Sequence, residues 1–189
     1  MPPRETKPQE WIHRFTKATR MLSIWSLGMM YTVVGFRHFS DPNFFTQIVP
    51  PRLPFPKELV FFTGGWEIFN GTLLFFNKTR KMAATSTAIL LVTVFPANIY
   101  LALYETPQLA LDVTQAQALR RLPFQFTLLF LACWHSRQEN TFNKNVLGSL
   151  LFYPTVAYFL SLWWCGIDVM FSSSPPLLSC WMKLFLLSS

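Results

Sequence analysis

Charged residues are scarce in this sequence. Of its 189 residues, 13% carry a charge and 51% are hydrophobic, whereas an average soluble domain has about 25% charged residues. This composition argues against a soluble globular protein. The 20 Phe and 7 Trp residues also exclude a disordered chain, because disordered chains are poor in aromatic side chains. The composition therefore indicates a membrane protein of one domain.

Cysteine and the common catalytic motifs are also sparse. The chain has three cysteines: Cys133, Cys165 and Cys180. An odd number without CxxC spacing predicts neither a disulfide framework nor a zinc site. His38 and His135 fall at opposite ends of the predicted bundle, which excludes a haem held by both. No glycine-rich phosphate loop or nucleophile elbow is present. We therefore predict no metal site and no independent catalytic activity.

The positions of the basic residues predict how the chain is oriented in the membrane. The net charge is +7, but the basic residues lie between apolar runs and form no single face, which argues against nucleic acid as a partner. Ten of them lie on the side of the N-terminal tail and five on the opposite side. Since Lys and Arg are enriched in cytoplasmic loops, we predict a multi-pass membrane protein with a cytoplasmic N-terminus.

Uncharged or nearly uncharged runs divide the chain. A transmembrane helix needs roughly 20 apolar residues, and four runs come close to this length: about 20–38, 58–77, 82–104 and 120–137. A fifth run covers residues 145–167. The predicted fold is all-α: an integral membrane four-helix bundle over residues 18–138, preceded by a basic cytoplasmic tail (1–17) and followed by an extra hydrophobic segment and tail (139–189).

The composition of two predicted loops indicates their secondary structure. Five prolines between Asp41 and Pro56 predict a rigid, extended, non-helical cap over the outer face. The stretch from Leu109 to Leu119 lacks proline and glycine and mixes apolar residues with Gln and Asp, which predicts a short interfacial helix before the fourth span.

Polar residues at membrane depth are the candidate site. An ionisable group inside the bilayer is costly and therefore points to function, and Glu67 is the one acidic residue well inside a span. Counted by depth, seven polar residues from four spans fall in the outer half: Arg37, His38, Glu67, Asn70, Asn98, Arg121 and Gln125. Two interpretations stay open: a ligand-binding pocket, or hydrogen bonds that hold the bundle together without chemistry.

The short sequence motifs around these residues resemble those of a known family. Gly35–Phe39 reads GFRHF, Ile48–Pro54 reads IVPPRLP, and Gly64–Ile68 reads GGWEI. Further along, Val94–Ile99 reads VFPANI and Arg121–Gln125 reads RLPFQ. In this order and spacing they resemble the DoxX-like family of small four-span membrane proteins, over about residues 18–138. The chain departs from the family pattern after Arg137.

The resemblance implies a four-helix transmembrane bundle and two kinds of function. The family takes its name from a small subunit of an archaeal thiosulfate:quinone oxidoreductase. A more distant branch of the superfamily is a chaperone for acetylcholine receptor assembly.

The first hypothesis is accordingly a small membrane subunit of a quinone-linked redox system. Its outer-half pocket would hold a quinone headgroup. Glu67 would take or give the proton of the quinone, and His38 and Asn98 would serve as hydrogen-bond partners. Because the chain has no recognisable redox cofactor motif, a membrane protein partner would carry the electrons. The alternative is a non-enzymatic assembly factor in which the polar cluster holds the bundle together. A weaker third option is a carrier of a small lipophilic solute.

Overall fold

The computed structural model describes residues 7–137 and 145–157, and all regular structure in these ranges is helical. The helices are α1 (Lys7–Ser40), α2 (Pro42–Thr46), α3 (Pro56–Leu74), α4 (Arg80–Leu103), α5 (Glu105–Ala110), α6 (Gln115–Ser136) and α7 (Asn145–Ala157). The chain divides into two units, residues 1–152 and 153–189. The first unit holds α1 to α6 and therefore the whole predicted bundle. In the second unit, the described residues are 153–157, the last part of α7.

Helices α1 and α3 form an antiparallel pair that glycines hold unusually close. A Cβ atom built on Gly35 would lie 2.6 Å from the Gly64 carbonyl oxygen, and one built on Gly71 would lie 2.7 Å from the Gly28 carbonyl oxygen. Gly28 and Gly35 are seven residues apart on α1, and Gly64 and Gly71 are seven residues apart on α3. This spacing is about two helical turns. Small residues at such a spacing let two backbones pack in contact.

Helices α4 and α6 form the second pair, and α3 joins the two pairs by packing on α4. The core between the four long helices contains Ile24, Leu27, Leu74 and Leu91. The small residues Ala83 and Ala84 of α4 and Ala132 of α6 are fully buried in the same cluster. A further cross-link joins α3 to α4, where the Trp66 indole Nε1 donates to Ser86 Oγ at 2.7 Å.

Each of the four predicted spans lies on one long helix, although the bounds differ. Helix α1 begins at Lys7, so it includes the predicted tail from residue 7 onward, and α3 ends at Leu74 instead of residue 77. In the described part of the chain, one helix, α4, combines the length and apolarity of a membrane span. Helix α7 covers the start of the predicted fifth span, and residues 158–167 lie outside the described ranges.

Both loop predictions need correction. The proline-rich stretch is not helix-free, because α2 occupies Pro42–Thr46. Its proline sits in the first turn, where a missing N–H costs nothing, and the Asp41 side chain caps the Phe44 N–H. The predicted helix over 109–119 is interrupted instead: α5 ends at Ala110 and α6 begins at Gln115. A capping box between Thr114 and Gln117 sets that start.

Candidate functional site

The candidate site centres on a buried pair of ionisable side chains between α1 and α3. His38 is 7% exposed and Glu67 8% exposed, and His38 Nδ1 lies 3.3 Å from Glu67 Oε2. His38 Nδ1 is also 2.9 Å from the Val34 carbonyl oxygen, one turn earlier on its own helix. Because Nδ1 carries one hydrogen, the shorter contact to Val34 takes it, and Glu67 Oε2 receives no directed hydrogen bond.

The fold brings these two side chains together for local reasons. Helical side chains tilt toward the N-terminus of their helix, so in an antiparallel pair His38 and Glu67 lean toward each other. Gly64 lies directly beneath the histidine, since a Cβ built on it would be 2.5 Å from His38 Cβ. The imidazole also stacks on Phe45 of α2, with ring centroids 3.7 Å apart. The short helix α2 thus covers the His38 side of the pair.

Two more buried polar side chains lie near Glu67 and have no hydrogen-bond partner among the residues that the structure describes. Asn70 is completely buried, and neither its Oδ1 nor its Nδ2 has a partner. Tyr31 is 5% exposed, its hydroxyl has no partner, and it is close enough to the Glu67 carboxyl for the two groups to interact electrostatically. Native proteins pair nearly all buried polar atoms, so a group of unpaired ones calls for an explanation.

A second polar pair joins α4 to α6. The Asn98 Nδ2 donates to Gln125 Oε1, and the Gln125 Nε2 donates to the Leu91 carbonyl oxygen at 2.7 Å. Pro96 has no N–H to bond to the Val92 carbonyl, but the Gln125 amide bonds instead to the carbonyl of the preceding residue, Leu91. Gln125 is buried and its amide is used on both sides, so this pair acts as a cross-link between helices.

The contacts that the structure describes join four of the seven predicted residues into two pairs. These are the His38–Glu67 pair, with Asn70 beside it, and the Asn98–Gln125 pair. Arg37 is exposed and Arg121 is half-buried. In residues 7–137 and 145–157, no three His, Cys, Asp or Glu residues come together in a group able to hold a metal ion.

Sequence reasoning missed Tyr31 and all polar contacts at the other end of the bundle. Tyr31 lies one turn before Gly35 on α1, and its depth matched that of Glu67, but a tyrosine within an apolar run reads as packing. At the other end, the His135 ring contacts Ser23 Oγ through Nε2 at 3.0 Å. Ser23 lies fifteen residues before His38 on α1, about 22 Å along the helix. His38 and His135 thus lie at opposite ends, as the sequence predicted.

Comparison with known proteins identifies a family but no activity. No match was found among curated proteins or among solved structures. A family model described as a domain of unknown function, DUF8561, matches residues 27–136. The match begins next to Gly28 on α1 and ends at the last residue of α6, so it includes both polar pairs. The chain belongs to the DUF8561 family.

Proposed function

We propose that this protein is a multi-pass membrane bundle that binds the polar head of a lipophilic ligand at the buried polar groups of α1 and α3. The observation that carries the proposal is the buried Glu67–His38 pair with the unpaired Tyr31 hydroxyl and Asn70 amide beside it. These groups offer hydrogen-bond donors and acceptors inside an apolar cluster that includes Leu27 and Leu74.

The distribution of side chains supports membrane placement of all four long helices. Their most exposed faces carry large apolar side chains: Met29 (66% exposed), Phe62 (63%), Phe69 (56%), Val92 (61%) and Phe126 (59%). Their inward faces carry the buried carboxyl and amide groups described above. Polar groups inside and apolar groups outside is the arrangement that a lipid environment favours. The excess of basic residues on the N-terminal side supports a cytoplasmic N-terminus.

The chemistry of the site suits a quinone headgroup. A quinone carbonyl oxygen is an acceptor, and both the Tyr31 hydroxyl and the Asn70 Nδ2 group are unused donors. Reduction of a quinone to a quinol consumes two electrons and two protons. Glu67, with His38 at 3.3 Å, is placed to pass protons, while the electrons come from a redox centre on a membrane protein partner. The resemblance to DoxX-like proteins supports this class of function.

A second candidate function, a non-enzymatic assembly factor, draws support from the Asn98–Gln125 cross-link. That pair consumes its own hydrogen-bonding groups between α4 and α6. Such bonds stabilise membrane bundles without any ligand. In this alternative, the polar groups between α1 and α3 also serve the fold, and the protein acts through a membrane protein client.

Tyr31→Phe separates the two candidates. A buried hydroxyl without a partner contributes nothing to folding, and its removal is neutral or stabilising. We therefore expect Tyr31→Phe to keep the thermal midpoint and to lower bound quinone about fivefold or more, from loss of one hydrogen bond of about 1 kcal/mol. Glu67→Gln, which keeps the shape but cannot release a proton, should abolish quinone-linked turnover with the partner.

The measurement is mass spectrometry of ubiquinone and menaquinone extracted from the full chain purified in mild detergent. The matched control is Tyr104→Phe, which changes an exposed tyrosine outside the site. Absence of quinone from the wild-type protein, together with reduced abundance of Glu67→Gln, would overturn the ligand proposal and favour the assembly factor.

A further inference from the structure

The end of the bundle opposite His38 gathers three basic side chains from three helices. Arg20 of α1, Arg80 of α4 and His135 of α6 are close enough to interact electrostatically. Direct contacts place them together: Arg80 Nη1 lies 3.9 Å from the sulfur of Met21, the neighbour of Arg20, and the Arg20 guanidinium carbon lies 5.9 Å from the Trp134 ring centroid.

No carboxylate balances this inner-end cluster (Arg20, Arg80 and His135) within residues 7–137 and 145–157. Among the described residues, the arginines contact carbonyl oxygens, a sulfur and a ring. Arg20 Nη2 donates to the carbonyls of Trp134 and Arg137, and Arg80 Nε donates to the Leu74 carbonyl at 3.2 Å. These contacts cap the C-terminal ends of α6 and α3. A helix C-terminus carries only about half a negative charge, so the cluster keeps a net positive charge.

Unused hydrogen-bond donors remain in the same place. Arg20 Nε and His135 Nδ1 are buried and have no hydrogen-bond partner in the described part of the chain, and His135 is 2% exposed. Since His135 Nε2 contacts the Ser23 hydroxyl, the tautomer in which Nε2 accepts leaves a hydrogen on Nδ1 with no acceptor. The first turn of α4 also lacks a side-chain cap, because the Thr79 hydroxyl donates to the Leu73 carbonyl. Positive charge, free donors and an uncapped helix start all favour an anion.

We propose that the inner-end cluster binds a phosphate group, supplied either by the headgroup of an anionic phospholipid or by a soluble phosphate compound. Guanidinium groups match the geometry of phosphate oxygens. The cluster lies on the side with the basic N-terminal tail, where the membrane placement proposed above meets the anionic cytoplasmic leaflet. The site is separate from the His38–Glu67 pair, at the other end of α1.

Native mass spectrometry of the full chain with equimolar phosphatidylglycerol and phosphatidylcholine tests this inference. We expect the wild-type protein to retain phosphatidylglycerol in preference to phosphatidylcholine. Arg80→Gln should lower the amount of bound phosphatidylglycerol about fivefold, because one basic group near an anionic lipid surface contributes about 1 kcal/mol. The matched control, Arg37→Gln, removes an exposed arginine at the opposite end and should leave retention unchanged. Should Arg80→Gln fail to fold, Arg20→Gln removes a guanidinium that caps a different helix.

A second arm identifies the source of the phosphate. If inorganic phosphate raises the thermal midpoint of the wild-type protein above a chloride control of equal ionic strength, and Arg80→Gln abolishes the rise, the ligand is a soluble phosphate compound. Equal retention of both lipids by all variants, with no effect of inorganic phosphate, would overturn the inference. Failure of the membrane placement would appear separately, as release of the protein from membranes by alkaline carbonate.

Discussion

Replacing Gly64 by alanine is expected to destabilise the bundle by about 1–3 kcal/mol, the usual cost of forcing extra volume into a packed contact. The added methyl group would meet His38 Cβ at 2.5 Å and the Gly35 carbonyl oxygen at 3.1 Å. Neither atom is the end of a flexible side chain, so α1 and α3 must move apart. Because the same contact aligns His38 with Glu67, the substitution should also disrupt the candidate site.

The adjacent residue supplies the control for this prediction. At Gly65 the nearest atom is the tip of the Phe39 ring, 4.0 Å away, and alanine has the higher helix propensity by up to about 1 kcal/mol. Gly65→Ala should therefore be neutral or slightly stabilising in thermal unfolding of the detergent-purified protein. Equal shifts of the midpoint in Gly64→Ala and Gly65→Ala would contradict the close packing of α1 on α3.

Val92→Arg is expected to have the largest effect on membrane integration. Val92 lies near the middle of α4 and is 61% exposed. On a water-soluble protein, an exposed substitution of this kind changes stability by no more than about 0.5 kcal/mol. At the centre of a bilayer, an arginine costs at least about 2.5 kcal/mol. We therefore expect a marked fall in the fraction of protein recovered in the membrane after alkaline extraction.

Leu53→Arg is the matched control, because Leu53 is similarly apolar and 46% exposed but lies in the loop between α2 and α3. It should remain in the membrane fraction like the wild-type protein. If Val92→Arg and Leu53→Arg behave alike, α4 does not face lipid.

Much of the helical layout follows from the pattern of apolar runs and charges. Each of the runs over 20–38, 58–77, 82–104 and 120–137 lies on one long helix, except for up to three residues at its C-terminal end. Pro96 and Pro123 lie inside α4 and α6 without ending them. The start of α6 was less predictable, since it depends on the short capping box at Thr114 and Gln117.

The candidate site could be predicted only in part. Depth along the helices predicted that His38 lies near Glu67 and that Asn98 lies near Gln125, and the structure has both contacts. Depth does not fix the direction of a side chain around its helix axis, so it could not separate the two pairs or show that Arg37 is exposed. The contacts of Gly28 with Gly71 and of Gly35 with Gly64 depend on how α1 packs on α3. This packing cannot be predicted from a single sequence.

Thiol labelling in intact membranes tests most directly whether all four long helices surround the polar site within the bilayer. On a background with the native cysteines replaced by serine, cysteine is introduced singly for Met29, Phe69, Val92 or Phe126, the exposed apolar residues of α1, α3, α4 and α6. We predict that these four thiols resist a water-soluble maleimide until the membrane is dissolved in SDS, while Leu53→Cys in the loop reacts at once. Rapid labelling at Met29, Phe69 or Phe126 would contradict the membrane-embedded bundle and, with it, the proposed lipophilic ligand.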